Sequence, residues 1–224
     1  MRRLLRHRRG LRVFALAAFT ACGGASRSTV STGVEPAAAP LIAGAKPAAP
    51  DGRSPYMPAD VHFMTGMVAH HAQAVLMAGW APSHEAGTPV RLLCARIVVG
   101  QRDEIGLMQG WLRDRHETVP DAKAMRMHMV MNGMEHDMLM PGMLSDEEMA
   151  QLDKARGVEF DRLFLLGMIR HHEGAVAMVN ELFSAPGAGQ DEVVFKFASD
   201  VYADQTTEIE RMNKMLNSLQ GPPR

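Results

Sequence analysis

The sequence is poor in cysteine, in aromatic rings and, past its first two dozen residues, in positive charge. Two cysteines, Cys22 and Cys94, allow no disulfide framework, so folding must rest on an apolar core. No Cys-x-x-Cys spacing, phosphate-binding glycine loop or nucleophile motif occurs, which removes the usual sequence grounds for a zinc module, a nucleotide enzyme or a serine hydrolase. From residue 22 onward 18 basic side chains face 25 acidic ones, a net charge of −7. Phosphate backbones need basic patches, so nucleic acid is excluded as the main partner and a cation is favoured. Only 12 Phe, Tyr and Trp accompany 19 Met, so thioethers outnumber aromatic rings, an excess that core filling rarely requires.

The N-terminus has a different character. Six arginines precede a short apolar run, Val13 to Phe19, and then Thr20-Ala21-Cys22. The run is too short to span a bilayer, and residues 1–22 read as an export signal. Small residues before a cysteine, with Gly23-Gly24 after it, resemble a bacterial lipoprotein cleavage box. That makes Cys22 the lipidated terminus and a membrane anchor, and the location periplasmic or cell-surface. Residues 23–58 are mostly Ala, Pro, Gly and Ser, cannot bury enough surface to order themselves, and read as a linker. The folded part is expected at 59–220.

An internal duplication organises that part. Residues 60–78 align with 161–179 at an offset of 101, and Asp, Phe, Gly, Met, the His-His pair, Ala, Val and a second Met coincide. A second block repeats at an offset of 104, with Gln101, Glu104, Ile105 and Met108 matching Gln205, Glu208, Ile209 and Met212. Apolar residues recur at helical spacing in every block. Thr88-Pro89 reads as an N-cap followed by a first-turn proline, and Ser145-x-x-Glu148 as a capping box opening a short helix before Gly157. Pro186 to Gly189 should close the third long helix, and Asp191 open the fourth. Short connections make each half an antiparallel hairpin, repeat one at 59–115 and repeat two at 145–220. A long crossover at 116–144 joins them. An all-α, ferritin-like four-helix bundle follows.

The chemistry-bearing residues fall on the duplicated faces and on the crossover. Met67, His70, His71 and Met77 lie on one broad side of the first helix, and Met168, His171, His172 and Met178 repeat them in the third. Imidazole with thioether favours copper, and thioether selects the soft Cu(I) ion. By the same softness Ag(I) is a candidate. Gln101, Glu104, Gln205 and Glu208 share stripes with core methionines, so the two carboxylates need buried partners. His71 and His172 are the obvious ones, and such a pairing could orient a ligating ring or serve only as a structural link. The crossover carries Met125, Met127, His128, Met129, Met131, Met134, His136, Met138, Met140 and Met143, a density that suits either repeated soft-metal capture or a hydrophobic lid. Cys94 points to the core side and reads as a small hydrophobe.

Four elements together, Phe-x-x-x-Met-x-x-His-His-x-x-Ala, Gln-x-x-Glu-Ile-x-x-Met-x-x-Trp-Leu, Met140-Pro-Gly-Met143 and Met168-Ile-x-His171-His172-x-Gly174-Ala175, resemble the family labelled domain of unknown function 305 over Tyr56 to Leu219. The resemblance implies a ferritin-like helical bundle, often exported, with copper-binding members outside the cytoplasm. It also implies the His pairs, the repeat methionines and the Met-Pro-Gly-Met element as ligands. Met215 stands where the first half has Trp111, which argues against two equivalent sites. Copper buffering, resistance or delivery is therefore the leading expectation. The rivals are a ferritin-like oxidase built on His71, His172, Glu104 and Glu208, and a Met-rich bundle that grips a protein partner. Absence of the Glu-x-x-His pairs of di-iron bundles counts against the oxidase.

Overall fold

The computed structural model describes residues 54–131 and 133–219. Helices α1 (Pro58–Gly79) and α2 (Thr88–Asp114) form one antiparallel hairpin, and α4 (Gly157–Ser184) and α5 (Glu192–Leu219) form the other. Between them run strands β1 (Met127–Met131) and β2 (Met134–Met138) and the short helix α3 (Asp146–Lys154). The hairpins meet chiefly where α1 crosses α4. Burial follows that arrangement: α1 is buried without a break from Gly66 to Ala74, whereas α2 buries a single stripe through Val90, Cys94, Ile97, Gln101, Ile105, Met108 and Leu112. The expected signal at 1–22, with Cys22, and most of the expected linker lie outside the described residues. The linker's last residues are described, and Tyr56 sets its ring edge-on to Trp111 at 5.3 Å and donates to Glu117 at 2.7 Å.

Duplicated aspartates lock the two hairpins together. Asp60 on α1 accepts from the Gly189 amide in the α4–α5 turn at 2.7 Å, and Asp161, its counterpart on α4, accepts from Gly87 in the α1–α2 turn at 3.0 and 3.1 Å. Each half therefore satisfies a loop amide of the other, which is why an aspartate recurs at the same place. The contact also shifts a helix start. Gly87, extended and held by Asp161, is the N-cap of α2, so Thr88 is the first helical residue rather than the cap expected from Thr88-Pro89. A side chain at Gly87 would meet Asp161 Oδ2 at 2.7 Å, leaving room for glycine alone. Elsewhere the caps fall as expected: Ser145 and Glu148 close a reciprocal capping box, and Asp191 accepts from Val193 and Val194 at the head of α5.

The crossover is not the loop that the sequence suggested. Met127 to Met138 folds into an antiparallel ribbon with Met127 opposite Met138, Met129 opposite His136 and Met131 opposite Met134. Gly133, just before β2, takes φ +77°, a conformation that glycine supplies without strain. After the ribbon, Met140 to Leu144 tucks back against α1 and α4.

The core divides into two clusters that exchange residues between the repeats. One holds Met67 and Met108 from repeat one with Met178 from repeat two; the other holds Met168 and Met212 from repeat two with Met77 from repeat one. These positions correspond, but Met57, Met64 and the crossover's Met127, Met140 and Met143 join only the first cluster, and Leu144 and Leu152 only the second. Eight buried methionines result on that side against three on the other, so thioether density is one-sided although the helices are duplicated.

Candidate metal centre

Both His-His pairs sit where α1 crosses α4, and all four rings are fully buried. His70 and His171 meet across the crossing, ring centres 3.7 Å apart and planes tilted by 40°, and each is 6.3 Å from the neighbouring ring of its own pair. On the outer side His71 Nε2 meets Glu104 on α2 at 2.7 Å, and His172 Nε2 meets Glu208 on α5 at 2.8 Å. The recurrence of Glu in the second and fourth long helices is thus explained: each hairpin carries its own His–Glu link. The third pairing differs, because His70 Nε2 donates to the Pro141 carbonyl at 3.0 Å, whereas among the described residues neither ring nitrogen of His171 makes a bond of hydrogen-bond geometry.

These bonds fix which nitrogens are free. A carbonyl only accepts, so His70 carries its hydrogen on Nε2 and keeps a lone pair on Nδ1; the carboxylates of Glu104 and Glu208 likewise accept from Nε2 of His71 and His172 and turn each Nδ1 away from the glutamate. Five ring nitrogens are then buried without a hydrogen-bond partner: Nδ1 of His70, His71 and His172, and both nitrogens of His171. Leaving a buried polar atom bare costs about 1–3 kcal/mol, and cores rarely do so repeatedly. Protonation does not relieve the deficit, since burial and then the adjacent imidazoles hold His70 and His171 well below the ordinary histidine range. Among the described residues no three His, Cys, Asp or Glu side chains already converge as a metal-ligand set. Any ion at this crossing would draw on thioethers to complete its shell. Met67 and Met168, each one turn before a His pair and fully buried, stand nearest in sequence.

The Met-Pro-Gly-Met element is pinned into the crossing. Gln73, one turn beyond the first His pair, clasps the backbone of Leu144 with both ends of its amide, donating to the carbonyl at 2.9 Å and accepting from the N–H at 2.7 Å. Opposite it stands Gly174, where a Cβ would fall 1.9 Å from the Pro141 carbonyl oxygen. The repeats differ here, Gln73 against Gly174, because one segment must thread between two helices that are otherwise copies. Met140 and Met127 both approach α1 at Gly66, one turn before His70, and a Cβ there would lie 2.8 Å from Met140 Cε and 3.4 Å from Met127 Sδ. Met143 Sδ accepts from the Met140 amide at 3.2 Å.

The remaining candidates are dispersed. Met77 and Met178 are buried in opposite core clusters, and Met125 and Met129 are half-buried. Met134, Met138, His128 and His136 are exposed, and His128 pairs with Asp137 across the ribbon at 3.0 Å. Met131 is placed by its pairing with Met134. Gln101 and Gln205 are buried, each with an unpartnered side-chain oxygen, and no bond joins them to the imidazoles. Burial and the nearby Asp161 push the Cys94 thiol up to about 12, so it stays a protonated core residue. Reasoning from sequence missed Gln73, Gly174 and the Asp60–Asp161 exchange. The last was visible as an aligned pair of aspartates.

A helical hairpin duplicated around buried imidazoles, with a methionine-bearing segment threaded between the copies, defines the class of protein. The sequence profile described as Domain of unknown function (DUF305) matches residues 60–216, and the chain belongs to that family. The crystal structure of a DUF305 protein from Streptomyces coelicolor, designated secreted, is similar at 26% identity and TM-score 0.61, over 74% of this chain and 96% of that one. CopM in its Cu(II)-bound form is similar at 27% identity and TM-score 0.54, over 71% and 96% of the two chains. CopM co-crystallised with silver is similar at 25% identity and TM-score 0.52 over the same shares. No functionally curated protein matches the chain. Metal binding is thus a property found within the family.

Proposed function

We propose that the protein is a Cu(I)-binding protein acting outside the cytoplasm, tethered through an acylated Cys22, that holds and releases copper, and Ag(I) by the same chemistry, without turnover. The observation that carries this reading is the group of five bare ring nitrogens at the α1–α4 crossing. Three belong to rings whose opposite nitrogen is fixed by Glu104, Glu208 or the Pro141 carbonyl, the outer-sphere arrangement that orients a metal-ligating histidine. Met67, Met168 and Met140 supply soft donors within a helical turn or in the threaded segment, and the copper- and silver-bound forms of CopM support this choice of ion. Hard divalent ions would want carboxylates, but Glu104 and Glu208 are engaged with the rings. The oxidase reading has no Glu-x-x-His pair to stand on. Competition against a chromophoric Cu(I) chelator tests the proposal: tight retention of Cu(I) and much weaker retention of Zn(II) are expected, and equal retention of both would overturn it.

A further inference from the structure

In an antiparallel ribbon, residues directly opposite each other share a face. Met127 with Met138 and Met129 with His136 are successive pairs of that kind, so three thioethers and an imidazole occupy one face, with paired Cβ atoms about 4.5–5.5 Å apart. The other face carries His128 bound to Asp137. A lid would turn this sulfur face wholly onto the core, yet β2 is exposed along its whole length and Met138 is 44% exposed. Cover increases toward the base: Met129 is half-buried, and Met127 is 6% exposed and reaches Gly66 of α1, where Met140 also packs. Met140 is bonded to Pro141, whose carbonyl holds His70. Met127 and Met140 therefore lie between the exposed ribbon and the segment that holds His70.

We infer that the sulfur face of the ribbon is a second Cu(I) site, formed by Met129, His136 and Met138, that captures the ion from solvent-side donors and passes it through Met127 and Met140 to the histidine crossing. The inference rests on the copper reading above. Transfer is ligand exchange: each incoming thioether or imidazole bonds to Cu(I) as an outgoing one leaves, with no change of oxidation state. A partly exposed site with flexible thioether arms accepts an ion from a bulky donor, which a fully buried imidazole cannot reach.

The test loads the full chain with Cu(I) from a chromophoric chelator under reducing conditions and follows the rate and end point. Replacing Met129 and Met138 by Leu and His136 by Gln preserves size and should leave the helical signal and melting intact. The variant should bind one ion fewer and load the remaining site at least tenfold more slowly. A His70→Gln, His171→Gln variant should retain the ribbon ion and its fast phase. In the unaltered protein, methyl-labelled methionine spectra during Ag(I) titration should move Met129 and Met138 before Met67 and Met168. Unchanged stoichiometry and rate in the ribbon variant, or first movement at Met67 and Met168, would overturn the ribbon site while leaving the copper reading standing. Failure of the unaltered chain to bind Cu(I) at all would overturn both.

Discussion

The two repeats are built from matching residues, yet their histidine pairs end in different surroundings. His71 and His172 are equivalents in fact as well as in sequence, each held by the glutamate of its own hairpin. His70 and His171 are not: one donates to Pro141, and neither ring nitrogen of the other makes a bond of hydrogen-bond geometry among the described residues. The difference traces to the crossover. A single segment passing through a pseudo-twofold crossing can serve only one of two related positions, so it needs Gln73 to clasp it on one side and Gly174 to admit it on the other. Duplication supplied a symmetric scaffold, and the threaded segment made the candidate site asymmetric and enriched one side in sulfur.

The sharpest way to break that comparison is at Gly174. Gly174→Ala puts a methyl group into the Pro141 carbonyl and must displace the threaded backbone, so a loss of about 3 kcal/mol or more in denaturant unfolding is expected. Gly100→Ala, in α2 with open space around it, should instead stabilise by about 0.5–1 kcal/mol. Equal effects at the two sites would deny the close threading.

Acid should come next in size. His70 and His171 are held below their ordinary value near 6.5, so below that pH the unfolded chain binds more protons than the folded one. Their contribution to stability is complete above about 6.5 and is lost as pH falls toward their folded values, at about 1.4 kcal/mol per pH unit for each ring. Asp60 and Asp161 run the other way, because burial raises both and acidification favours their folded forms. Metal-free melts from pH 7.5 to 5 should fall steeply, and the His70→Gln, His171→Gln variant should flatten the slope. An unchanged slope would place the acid sensitivity elsewhere.

The aspartate exchange sharpens the comparison further. Asp60 accepts from both Met57 and Gly189, whereas Asp161 accepts from Gly87 alone. Replacing either by Ala strands buried amides at about 1–3 kcal/mol, with Asp60→Ala the costlier. Smallest of all should be the contrast between Glu104→Gln and Glu208→Gln, whose effects on unfolding should agree within about 0.5 kcal/mol because both meet equivalent imidazoles.

Much of this architecture was legible in the sequence, because the duplicated blocks carry helical periodicity and each carries its own chemistry. The His–Glu links could be anticipated from buried carboxylates needing partners. The ribbon was hidden by its composition: methionine is no strand former by habit, and the run was read for its sulfur rather than its period. Alternation at Met125, Met127, Met129 and Met131, followed by Asn132-Gly133, is nevertheless a hairpin signature. Nothing local could reveal that Pro141 would meet His70, since a contact across 71 residues depends on how the crossover threads.

Nitrogen NMR of the imidazole rings during Ag(I) addition tests the central claim most directly, since silver is diamagnetic and shares the softness of Cu(I). The account predicts that, once the ribbon methionines have responded, bound silver moves Nδ1 of His71 and His172, and of His70, while Nε2 of His71 and His172 keeps its hydrogen-bonded signal to Glu104 and Glu208. Silver bound tightly with all four Nδ1 signals unmoved would contradict it and reduce the buried imidazoles to architecture.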